Sequence, residues 1–135
     1  MNQRLQIDER AQRRMSVEAI VNRLESWLRH DGYRAFVADR GPESPLLGYL
    51  LCVEQDDPCV DSGRLLYIRQ LYVEPSSRRQ GVATAMINRL IADHIPPSMP
   101  LEMDVLTSNP AGQAFWHAIG FTDRYTRMRR AVDRG

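Results

Sequence analysis

Between Leu65 and Leu90 the chain reads LLYIRQLYVEPSSRRQGVATAMINRL, and Arg78, Arg79, Gly81 and Ala83 within it are residue types that can hold an anion. A strand that turns sharply into a helix leaves the first helical amides without intrachain partners, with the positive end of the macrodipole behind them. Gly81 removes the side chain that would keep a phosphate away, Ala83 keeps the turn tight, and the two arginines add charge at the rim. The stretch lacks the Gly-x-x-x-x-Gly-Lys frame of a kinase-type phosphate loop and the Gly-x-Gly-x-x-Gly of a Rossmann fold. Taken alone, it leaves two readings open: an anion site, or an exposed turn with solvated arginines.

The elements around the turn follow from periodicity. Ser16 is placed as an N-cap for a helix in which Ile20, Val21, Leu24, Trp27 and Leu28 recur at helical spacing until the HDGY sequence stops it. Residues 33–39 alternate like a strand, the GPESP sequence makes a turn, and residues 46–54 give a second strand. The segment QDDPCVDSG reads as a hairpin loop leading into a long strand, residues 65–73. A helix follows, with Val82, Ala83, Met86, Ile87, Leu90 and Ile91 on one stripe, and it stops at HIPPSMP. Residues 101–106 are expected as a strand. Asn109 at an N-cap and Pro110 at N1 start another helix, which Gly120 closes. Residues 121–130 are expected as a final strand or strand pair. Strand, helix, strand, helix in the second half favours an α/β sheet with a parallel pair at its centre.

At 135 residues the chain has the size of one domain, 1–135, with residues 1–15 as a flexible or swapped arm. A formal charge of +1 gives no reason to expect nucleic acid or membrane partners, and any charge preference must be local. All 18 basic residues are arginine. The N-terminal residues lack the apolar run of a signal peptide, and no stretch has the length that spans a bilayer, so a cytoplasmic protein is expected. Cys52, Cys59 and three scattered histidines have neither disulfide-framework nor metal-ligand spacing, and no metal is expected.

A second motif joins the first. Asn109, Phe115, Trp116, Gly120 and Phe121 lie in NPAGQAFWHAIGF, and the combined pattern resembles the GNAT superfamily of acyl-CoA-dependent N-acetyltransferases. Arg78, Gly81 and Ala83 match its Arg/Gln-x-x-Gly-x-Gly/Ala signature, and Asn109, Gly120 and Phe121 its Asn-(x)10-Gly-Phe helix. The resemblance covers roughly residues 33–130 and implies a mixed sheet flanked by helices, antiparallel strands being followed by a splayed parallel pair. It implies acetyl-CoA as cosubstrate, with the pyrophosphate on the turn of Arg78, Arg79, Gln80, Gly81, Val82, Ala83 and Thr84. The pantetheine arm would hydrogen-bond to the backbone of Leu71, Tyr72 and Val73, and Asn109, Phe115 and Trp116 would lie beside it. An amide of Tyr72 or Val73 would stabilise the oxyanion formed when a small-molecule amine attacks the thioester. Homodimerisation is expected as well. Two alternatives stay open: an acyl-CoA sensor with little turnover, and a protein or peptide N-acetyltransferase.

The chain departs from the family in three places. Trp116 stands where a tyrosine commonly acts as general acid, and indole has no useful acid pKa. The strand reads Ile68-Arg69-Gln70-Leu71-Tyr72-Val73 where many members carry a carboxylate. The phenols available instead are Tyr67, Tyr72 and Tyr125, with Tyr72 the first candidate, and the carboxylates are Glu102 and Asp104. Arg69, with Gln70, is a candidate for contact with the acceptor: either Arg69 recognises a carboxylate, or it is a strand arginine paired with Glu102 or Asp104. Finally, only 32 residues precede Tyr33, with RLQI as a minimal first strand, which leaves the acceptor pocket open or completed by a second subunit. Glu54, Asp56, Asp57 and Asp61 form either a lure for a polyamine or aminoglycoside or a solvated hairpin tip.

Overall fold

A computed structural model describes residues 17–41 and 43–133, apart from the side chains of residues 17–20. The Ser16 cap, the RLQI strand and the N-terminal arm lie outside the described residues. Helix α1 (Val17–Leu28) leads into strand β1 (Tyr33–Ala38), then β2 (Gly48–Asp56) and β3 (Arg64–Val73). A 3-10 turn (Pro75–Ser77) precedes helix α2 (Val82–His94), strand β4 (Leu101–Glu102) and helix α3 (Pro110–Ala118).

The four strands form one sheet in the order β1-β2-β3-β4, antiparallel through β3 and parallel between β3 and β4. Each element buries the residues its pattern singles out. Leu24 and Trp27 of α1 pack over Tyr49, Leu51 and Tyr72 on one face. On the other face Ile87 and Leu90 of α2 and Trp116 of α3 pack over Leu50, Cys52, Leu66, Ile68 and Leu71. Because helices cover both faces, β2 and β3 are nearly continuous apolar runs, as sheets buried on both sides require.

The β2–β3 ladder has one irregularity. Leu51 stands opposite Gln70, but Cys52 stands opposite Ile68, so Arg69 is an extra residue in β3, a β-bulge. Before the bulge Leu66 and Ile68 face α2 and α3, and after it Leu71 does.

Two expected strands differ from the structure. The strand expected over 101–106 pairs only at Leu101–Glu102, because β4 leaves β3 after two residue pairs. The strand or strand pair expected over 121–130 does not form: residues 122–133 carry no strand and are exposed, Tyr125, Met128 and Val132 included. The apolar residues there are isolated among Arg124, Arg127, Arg129 and Arg130 and meet no partner strand among the described residues. The start of the segment is anchored by the Phe121 ring against Trp116 and by His117 Nε2 against Asp123 at 2.7 Å.

Candidate cofactor and acceptor site

β3 and β4 pair at Leu66 with Leu101 and Tyr67 with Glu102, and then diverge while β3 runs on to Val73. The bond from Glu74 N–H to the Leu47 carbonyl, 2.7 Å, flanks the Gly48–Val73 pair on the β2 side and makes it a non-hydrogen-bonded pair. Alternation then gives Tyr49 and Tyr72 both backbone bonds to each other. Leu71 and Val73 turn their N–H and C=O groups the other way, into the gap that β4 has left. Arg78 Nε donates to the Val73 carbonyl at 2.8 Å, as this orientation requires. Of the two amides named for the oxyanion, Tyr72 N–H is thus committed to the ladder, whereas Val73 N–H faces the gap together with Leu71 N–H.

Gly48 keeps this edge in place. A Cβ there would lie 2.3 Å from the Tyr72 carbonyl oxygen, so no side chain fits without moving β2 off β3.

Beyond β3, Glu74 caps the 3-10 turn by accepting from Ser76 N–H at 3.1 Å. The next residues wind through two left-handed positions, Arg79 at φ 64° and Gly81 at φ 79°. Gly81 is the N-cap of α2, and no side chain caps the amides of Val82, Ala83 and Thr84. A Cβ on Gly81 would meet nothing within 4 Å, so the space beside this residue at the start of α2 is open. Arg78 turns back to β3, which leaves Arg79 as the exposed cation of the turn. Ala83 packs on the core below. Sequence reasoning missed Arg40, whose Nη2 donates to Gln80 Oε1 at 3.3 Å and so brings a further cation to the turn from the β1–β2 loop. Nothing in the local sequence of that loop signals the contact.

On the α1 face the bulge sets Arg69 and Gln70 side by side. Arg23 Nη1 donates to the Tyr49 hydroxyl at 3.2 Å, and that hydroxyl donates to Gln70 Oε1 at 3.0 Å. Arg69 pairs with neither Glu102 nor Asp104; its Nε donates to the Tyr33 hydroxyl at 2.8 Å and its guanidinium lies 4.7 Å over the Trp27 ring. Asp104 instead accepts from the Tyr67 hydroxyl at 2.9 Å, and burial together with this carboxylate holds the Tyr67 phenol well above its ordinary pKa. Tyr72 is 3% exposed, with its ring stacked on Tyr49 at 5.5 Å and the Arg78 guanidinium 5.9 Å from its centre.

Asn109 is the N-cap of α3, its Oδ1 accepting from Gly112 N–H at 3.1 Å. Trp116 is 4% exposed and meets Phe115 and Phe121 edge-on at 5.0 and 5.2 Å. The structure thus uses the indole as core. The acidic residues divide: Glu54 bridges to Arg34 and Arg64 at 3.8 and 3.4 Å, Asp56 lies 3.6 Å from Arg64, and Asp57 accepts from Cys59 N–H. This is a self-paired hairpin. Among the described residues no group of three or more metal-ligating side chains occurs, and no helix is long and apolar enough to cross a membrane.

A mixed sheet whose parallel pair opens beside an uncapped strand-to-helix turn defines an acyl-CoA-dependent acetyltransferase fold. The chain belongs to the acetyltransferase (GNAT) family, whose model matches residues 3–121. A Pyrococcus furiosus protein assigned to the acetyl transferases superposes with a TM-score of 0.67 at 23% identity, over 87% of this chain and 80% of that one. An aminoglycoside N-acetyltransferase, AAC(6')-Iy, solved with CoA, gives a TM-score of 0.63 at 21% identity over 86% and 89%. An aminoglycoside 6'-N-acetyltransferase from Acinetobacter haemolyticus gives 0.61 at 18% over 88% and 84%. No curated protein matches the chain.

Proposed function

We propose that this chain transfers an acetyl group from acetyl-CoA to the primary amine of a small molecule by direct attack on the thioester. One observation carries the reading: the Leu71 and Val73 amides face the gap between β3 and β4, in line with the uncapped turn at the end of the same strand. The residues fit the cosubstrate. The amides of Val82, Ala83 and Thr84, with Arg79 and Arg40 at the rim, would hold the pyrophosphate. The Leu71 and Val73 backbone would hold the pantetheine arm, and one of these two amides would stabilise the carbonyl oxygen as negative charge gathers there.

In the transfer itself the neutral amine forms a C–N bond to the carbonyl carbon, the C–S bond breaks, and the amine nitrogen gives up a proton to water or a base. The departing thiolate takes a proton from the Tyr72 phenol, the candidate nearest the Leu71–Val73 backbone. Holding the two reactants in line supplies much of the rate.

Binding of CoA to the native state alone raises the melting temperature by mass action. Gly81→Glu places a carboxylate against the pyrophosphate and should abolish that rise. An unchanged rise in this variant removes the turn from the site. Release of free thiol from acetyl-CoA over a panel of amines then reads the transfer.

A further inference from the structure

We infer that Arg69 binds the acceptor, and that the amine acetylated by this chain also carries a carboxylate, as in an amino acid or a compound built on one. The inference rests on the acetyl-transfer reading above and names the substrate class of that site.

Arg69 is the extra residue of the β3 bulge, two positions before Leu71, whose amide faces the gap. Its guanidinium carbon lies 4.7 Å from the centre of the Trp27 ring, 5.8 Å from Tyr33 and 5.5 Å from Tyr67, so aromatic rings from α1, β1 and β3 surround it. Its one hydrogen bond is Nε to the Tyr33 hydroxyl. Its Nη groups take no hydrogen bond or ion pair among the described residues, and the side chain is partly exposed. The two carboxylates in reach by sequence are both disengaged from it.

Such an arginine differs from a solvated strand arginine. Ring faces hold the guanidinium plane, the Nε bond fixes its rotation, and the Nη edge is left pre-oriented for two parallel bonds to a carboxylate. Arg23 adds a second guanidinium on the same face, at the Tyr49 hydroxyl. Asp104, at the Tyr67 edge of the box, accepts from the Tyr67 hydroxyl. A polycationic acceptor would meet the Arg69 guanidinium here, whereas a carboxylate would meet complementary charge.

The test measures thiol release from acetyl-CoA with matched acceptors, a set of amino acids and the same amino acids as carboxamides. The carboxylate member should be favoured at least tenfold in kcat/KM. Arg69→Gln should bring that ratio to about one, chiefly through the acceptor KM, while leaving the acetyl-CoA KM unchanged, and Arg69→Lys should restore part of it. A wild-type ratio at or below one overturns the inference, as does a ratio that survives in Arg69→Gln. Should Arg69→Gln fail to fold, the wild-type ratio and Arg69→Lys still decide. CoA binding with transfer to polyamines alone rejects the carboxylate rule and spares the acetyltransferase reading. Absence of CoA binding rejects both.

Discussion

The Tyr67 hydroxyl donates to Asp104 across the point where β3 and β4 part, 2.9 Å from one strand to the segment that follows the other. The bond ties the two sides of the gap together at its closed end. Tyr67→Phe should therefore lower stability by about 1 kcal/mol in chemical denaturation. It should weaken CoA binding by loosening the gap, without the collapse in turnover expected of a general acid, because the raised Tyr67 pKa and its bond to Asp104 commit the proton.

Tyr72→Phe provides the contrast. Loss of one well-placed general acid costs about two to four powers of ten in turnover. A fall of that order at unchanged CoA affinity identifies Tyr72 as the acid, and a fall of less than threefold assigns the thiolate's proton to water.

Trp116 and its two ring neighbours predict a stability effect where the family pattern suggests a catalytic one. Trp116→Ala should cost about 3–5 kcal/mol, as large aromatic truncations in cores do. Trp116→Tyr should also be destabilising, because it sets a hydroxyl among Phe115, Phe121 and the α2 side chains. It should not raise turnover; a tenfold increase in kcat would show that this position reaches the reacting atoms.

At the turn, stability and binding should move in opposite directions. Arg79 holds φ 64°, a conformation that costs a side-chain-bearing residue about 1 kcal/mol relative to glycine. Arg79→Gly should raise the melting temperature of the free protein and yet weaken CoA binding, with a smaller dependence on salt. Equal CoA affinity at low salt in the two proteins would take Arg79 out of the site.

Alkaline pH should destabilise the fold through Cys52. The thiol is fully buried in the cluster of Leu50, Leu66 and Ile68, and burial raises its pKa from 9.0 to about 11. Between these values the unfolded chain has released the proton and the folded chain keeps it, so the unfolded state binds fewer protons and stability falls as pH rises. The slope is about 1.4 kcal/mol per pH unit at most; the contribution is complete below pH 9 and is lost as pH rises through the folded value. Denaturation of Cys52→Ala between pH 8 and 11 should show a flatter decline than the wild type.

Much of this arrangement was readable before any coordinates. The stripe from Val82 to Leu90, the Asn109-Pro110 start and the strand reading LLYIRQLYV pointed to the helices, the parallel pair and the sharp strand-to-helix turn, because each is local and periodic. The bulge was not readable: no glycine or proline marks Arg69, and an extra residue shows only against the partner strand. The aromatic box was hidden for a related reason, since Trp27, Tyr33 and Tyr67 come from three elements and meet only after the sheet forms. Apolar residues at 101–106 suggested a longer β4, but pairing length depends on a divergence that composition does not encode. Tyr125, Met128 and Val132 misled similarly, having strand propensity without a partner.

The bulge also gives β3 a phase. Before it, even-numbered side chains, Leu66 and Ile68, point at α2 and α3; after it an odd-numbered one, Leu71, does, and the backbone groups facing the gap are likewise those of Leu71 and Val73. A chain one residue shorter at Arg69 would keep nearly the same composition and the same motifs. Its ladder would close in register. Every other pairing would stay as it is, Leu51 with Gln70 and Cys52 with Ile68, so Leu71 and Tyr72 would keep their faces and only the Arg69 side chain would leave the α1 face. The bulge thus adds one guanidinium beside Gln70 on the α1 face while the backbone groups that β3 turns to the gap stay the same.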